Sequence, residues 1–225
     1  MRGRFSAGIS LVLAAACLSA SLASADEMIT PIFLEGEDAS VEELSLWELV
    51  ERERYVRARE EAEAYLADHP SSYVAHLVLG MAQHYGEANF PKALFHETRA
   101  LELFEAAEGV QPTQSQPWRW HARILVGLTR AHGDLEHYDE QLGFMVRYNE
   151  LYTPQLKAEL AWPLMKKREF EKARLAAEEG LATGDPYQVE RAKNALCAIE
   201  FEAGDDVKSY EVCSEAVDYG RRHFG

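Results

Sequence analysis

Residues 73–105 read YVAHLVLGMAQHYGEANFPKALFHETRALELFE, and the fold is decided by how that stretch divides. Val74, Leu77, Val78 and Met81 recur at helical spacing, so the first half is an amphipathic helix. Gly86 and Asn89 break it. Phe90-Pro91 restarts the chain, because proline is tolerated in a first helical turn where its missing N–H has no partner to lose. Ala93, Leu94, Ala100, Leu101 and Phe104 then form a second apolar face. Leu79-Gly80 on one helix and Ala93 and Ala100 on the other are small enough for the two to pack closely as an antiparallel pair.

Similar pairs lie on either side. Ser40-x-x-Glu43 predicts a capping box opening a helix at Val41, with Leu44, Trp47 and Val50 along its stripe. A partner helix follows from Tyr55 to Ala67. Past the polar linker GVQPTQSQP, the spacing predicts helices over 118–131 and 138–151, turned at Gly133-Asp134. A helix over 155–167 contains Pro163, which must kink or split it. Its partner starts near Glu169, and the last pair spans about 189–203 and 207–219, turned at Gly204-Asp205. The small residue early in each second helix is Ala58, Ala93, Gln141, Ala173 or Ser209, at spacings of 35, 48, 32 and 36. The long spacing contains the linker, and Gln141 is the poorest of the five matches.

This pattern resembles the tetratricopeptide repeat, a helix–turn–helix of about 34 residues. Leu79, Gly80, Ala93 and Ala100 match its signature, while His76, Gln83 and Glu97 replace the expected Trp, Tyr and aromatic. The resemblance implies an all-α, right-handed superhelical stack of about five divergent repeats over residues 40–221, with 222–225 as a frayed tail. It also implies an inner groove lined by the first helix of each pair. That places Trp47 and Val50, then Val74, Leu77, Met81, His84 and Tyr85, on the groove. Trp120, Arg123 and Arg130 follow, then Trp162, Met165 and Lys166, and last Arg191, Asn194 and Phe201. Aromatic, Met and Arg side chains are those enriched at binding hot spots. A shift of one residue in the alignment turns half of them into core. Glu43 and Trp47 stand where the carboxylate clamp of chaperone-binding members has its first Lys and Asn, so that specificity does not carry over.

The N-terminus has the layout of an export signal: Arg2 and Arg4, an apolar run over 9–18, and the small exit Ala23-Ser24-Ala25 before Asp26-Glu27. The run is shorter than the roughly 20 residues that span a bilayer. The expected segments are therefore a signal peptide, 1–25, and a flexible acidic lead-in, 26–39. Lipidation at Cys17 is the competing reading and would anchor the chain to a membrane. Removing residues 1–25 takes away two cations and no acid, so the formal charge moves from −15 to −17. Such a surface repels nucleic acid and anionic lipid.

Motifs for chemistry fail. His96-Glu97 begins a zinc-protease H-E-x-x-H, but Ala100 takes the second metal position. No phosphate-cradling glycine loop or nucleophile elbow occurs, and His132 and His137 are a weak pair across a turn. No cofactor, metal or enzymatic activity is expected. Cys197 and Cys213 lie equally far from the last turn and so face each other. In an oxidising compartment they form a disulfide, the alternative being two buried thiols.

The expectation is an exported, periplasmic or secreted scaffold that holds a protein or peptide. Arg123, Arg130, Lys166 and Arg191 suggest acidic groups on that partner. A lipid-anchored cell-envelope assembly factor and, further behind, a small-molecule or metal binder on the same scaffold are the alternatives.

Overall fold

The computed structural model describes residues 39–110, 118–152 and 154–223. Residues 1–25, with Cys17 and the export signal, lie outside them, as does the acidic lead-in up to residue 38. Among the described residues, ten α-helices make five antiparallel pairs: α1 (Val41–Glu51) with α2 (Tyr55–Asp68), α3 (Tyr73–Glu87) with α4 (Phe90–Glu108), α5 (Trp118–Asp134) with α6 (Tyr138–Leu151), α7 (Ala161–Lys166) with α8 (Phe170–Ala182), and α9 (Pro186–Ala203) with α10 (Asp206–His223). The described residues contain no strand.

Local chemistry sets the starts. Ser40 and Glu43 form the capping box reciprocally, Ser72 accepts from the Ala75 N–H, and Asn89 accepts from the Lys92 N–H. Asp185 caps α9, so that helix begins at Pro186, earlier than periodicity alone suggests.

The five turns inside the pairs share one geometry. Glu53, Ala88, Glu136, Arg168 and Gly204 are all left-handed, with φ of 56°, 50°, 60°, 61° and 83°. Each stands five residues ahead of one of Ala58, Ala93, Gln141, Ala173 and Ser209. The N–H of that small residue donates to the carbonyl just after the turn residue, at 2.8–3.0 Å in all five pairs. All five side chains are buried. The register read from spacing is therefore the backbone register. Gln141 fits because Gly133 faces it; a Cβ there would collide with its amide.

Three boundaries differ from the sequence reading. α5 runs through Gly133-Asp134, and the turn falls at Leu135–His137, where Glu136 takes positive φ. The helix expected over 155–167 is broken into 3₁₀ turns at Pro154–Leu156 and Ala158–Leu160 and the short α7. Pro163 has no N–H for the Glu159 carbonyl and its ring crowds that carbonyl, so a continuous helix cannot form. Arg222 and His223 belong to α10 and are not a frayed tail.

Each second helix packs on the first helix of the next pair, as α2 does on α3, α4 on α5 and α8 on α9. First helices also pack on one another: α1 on α3, α3 on α5, α7 on α9. The first helices thus form the inner layer of a stack, and neighbouring pairs share a continuous core that no pair closes alone. Val74, Leu77, Ala100, Phe104, Trp120, Ile124 and Leu128 make one cluster, joining the second and third pairs.

Candidate functional site

The inner layer has two unlike halves. Over the first three pairs it is filled by the protein's own side chains. Trp47 of α1 meets Trp120 of α5 edge to face, with centroids 5.4 Å apart. Arg123 places its guanidinium 4.3 Å from the Trp47 ring and 4.8 Å from the Trp120 ring. Its Nη2 also reaches Glu51 Oε1 at 3.5 Å, and the Trp47 indole N–H donates to the same carboxylate. Because α1 and α5 meet here, the α3 residues between them are covered.

Several residues assigned to the groove are therefore core. Leu77 and Trp120 are fully buried, His84 is buried, and so are Val50 and Val74; Met165, in the fourth pair, is buried separately, against Ala161, Ala173 and Ala177. The helical period correctly gave one face of α3, but that face is occupied by α5 and Trp47. His84 lies with its Nε2 3.0 Å from Asp134, and burial holds its pKa below the ordinary value. Met81 and Trp47 are half-buried at the edge of this seal.

Near the turn ends the surface opens. Tyr85 is exposed, stacks on Tyr55 at 5.7 Å and accepts a 2.6 Å hydrogen bond from Arg130, which is also exposed. Beneath them lies Glu97 of α4, fully buried, with neither oxygen hydrogen-bonded among the described residues. It fits because Gly80 and Gly127 lack side chains; a Cβ on Gly80 would lie 2.6 Å from Glu97 Cγ, and one on Gly127 would lie 2.9 Å from Oε1. Burial pushes its pKa up to about 8, with Arg130 pulling weakly the other way.

The inner layer of the last two pairs carries open side chains. Trp162 of α7 is 49 % exposed, with the Lys166 ammonium 5.0 Å from its ring centroid. On the neighbouring α9, Arg191 is exposed and pairs with Glu159 at 3.2 Å, and Phe201 is 69 % exposed. Tyr187, which the sequence reading passed over, is exposed on the same helix. Its recurrence with Arg191 one turn later was the available sign. Cys197 and Cys213 join α9 to α10 in a disulfide, Cα to Cα 4.6 Å. The described residues hold no group of three or more metal-binding side chains and no helix long and apolar enough to cross a membrane.

No family model matches the sequence, and no curated protein matches it. Among solved structures, the chain is similar to YrrB, described as a TPR protein with an unusual peptide-binding site. The two share 16 % identity at a TM-score of 0.61, over 83 % of this chain and 89 % of that one. The architecture is that of a tetratricopeptide-repeat protein: an all-α stack of helix pairs.

Proposed function

We propose that this chain is an exported interaction scaffold that holds a protein or peptide segment on the inner face of its last two pairs. The observation that carries the reading is the pairing of Trp162–Lys166 on α7 with Arg191 and Phe201 on α9. Trp162 and Arg191 are of the kinds that dominate binding energy, and they stand exposed with Lys166 and Phe201 on adjacent inner helices. Their counterparts over the first three pairs are engaged with each other. Lys166 and Arg191 are cations in a chain of net charge −15, which favours a partner with carboxylates. The similarity to a TPR protein with a peptide-binding site agrees with this use of the fold.

Export is supported by the disulfide, since such bonds persist in oxidising compartments. We place cleavage after Ala25, giving a free periplasmic or secreted protein; intact mass of the product separates this from lipid on Cys17. The binding test is affinity capture from the exported fraction, comparing wild type with Trp162→Ala/Lys166→Glu. Loss of the captured species with unchanged folding supports the groove. Undiminished capture removes it from these pairs.

A further inference from the structure

We infer that the outer face of α10 is a self-association surface on which a second copy of this chain packs antiparallel. In every earlier pair, the second helix uses a residue six or thirteen positions after the left-handed turn residue to meet the next pair. Arg59 bonds Glu87 of α3. Leu101 packs in the cluster of Ala122, Leu125 and Met145. The Asn149 side chain accepts from the Leu156 N–H, and Arg174 bonds Glu200 of α9. In α10 the same two positions are Tyr210 and Val217, which are 77 % and 52 % exposed. Val207, one turn before Tyr210 on the same stripe, is exposed as well. This is a stacking face in register, and among the described residues nothing covers it.

The charge along α10 says what does. Asp205 and Asp206 stand at its start, and Arg221, Arg222 and His223 in its last turn, all exposed. About a two-fold axis passing between Cys213 and Ser214, Tyr210 of one copy faces Val217 of the other. Asp206 then faces Arg221, twice over, as an isologous contact requires. Val207 falls opposite Gly220, and the small Ser214, folded back onto the Tyr210 carbonyl at 2.7 Å, lets the helices close to ordinary packing distance. A parallel arrangement sets acid against acid. The contact leaves Trp162, Lys166 and Arg191 on other helices.

Sedimentation equilibrium of the full chain tests this. The wild type is expected to dimerise, and Tyr210→Glu to weaken the association at least about 30-fold while keeping its helical circular dichroism. An Asp206→Arg variant and an Arg221→Asp variant are each expected to be monomeric alone and to pair when mixed. A wild type that stays monomeric at high micromolar concentration overturns the proposal. So does a dimer insensitive to Tyr210→Glu, or charge variants that fail to recombine.

Discussion

Glu97 Oε1 lies 2.9 Å from the point where a Cβ on Gly127 would stand, so the carboxyl of one helix fills the space that the other leaves empty. Its pKa of about 8 exceeds the ordinary 4.5. Between those values the folded chain keeps a proton that the unfolded chain has lost, so stability falls as pH rises through the window. His96 and His121 act oppositely. Burial lowers both from 6.5 to about 4, so their contribution is present above 6.5 and is lost as pH falls towards 4. Between pH 6.5 and 8 the Glu97 effect alone removes about 2 kcal/mol. Urea denaturation at pH 6.5 and 8 is expected to show that loss as the difference between wild type and Glu97→Gln, the histidine contributions being common to both.

Trp120 and Trp162 are both inner-layer tryptophans, but only one is structural. Trp120→Ala removes a fully buried ring and its contacts with Trp47 and Arg123, and is expected to cost about 3–5 kcal/mol. Trp162→Ala is expected to change stability by no more than about 0.5 kcal/mol. Denaturation midpoints of the two variants measure the contrast, and they make Trp162 the position for binding tests.

The disulfide closes a short segment, the two cysteines being 16 residues apart. Chain-entropy arguments give such a loop about 3 kcal/mol. Adding reductant, or making Cys197→Ser/Cys213→Ser, is expected to lower the urea midpoint accordingly. Thiol labelling of the unreduced, denatured protein is expected to modify neither Cys197 nor Cys213.

Ala88 holds φ 50° and ψ 32°, a region that costs a residue with a Cβ about 1–2 kcal/mol. Ala88→Gly relieves this at some expense in unfolded-chain entropy and is expected to gain about 0.5–1 kcal/mol. Gly204→Ala, at the equivalent turn, is expected to lose a similar amount. Thermal melts of both variants check the pair of signs.

The five-pair architecture was legible because the helical stripes and the small residues from Ala58 to Ser209 are local features. The turns were less so. Four of the five left-handed residues are Glu, Ala or Arg, so no glycine marks them, and Gly133 drew the third turn too early. The inner surface was the least legible. Periodicity shows that Val74, Leu77 and Trp120 share faces, but not that α1 and α5 meet above α3. Glu97 carried a misleading sign, since a charged residue on a helix reads as solvated. Only the two facing glycines, from helices distant in sequence, explain its burial.

The Trp47–Arg123–Trp120 contact ties a first pair to a third, which a stack of nearest neighbours does not do. Arrays lacking such a tie unzip from either end. Here the first three pairs must open together, since neither end of that block is released while the other stays closed. The last two pairs, joined to the block through α6, are left as a separate cooperative unit with its own covalent clasp. Amide hydrogen exchange should therefore divide the chain near residue 152, with the slowest exchange in α3 and α5. The side chains assigned to partner binding fall in the unit that can loosen without unfolding the rest.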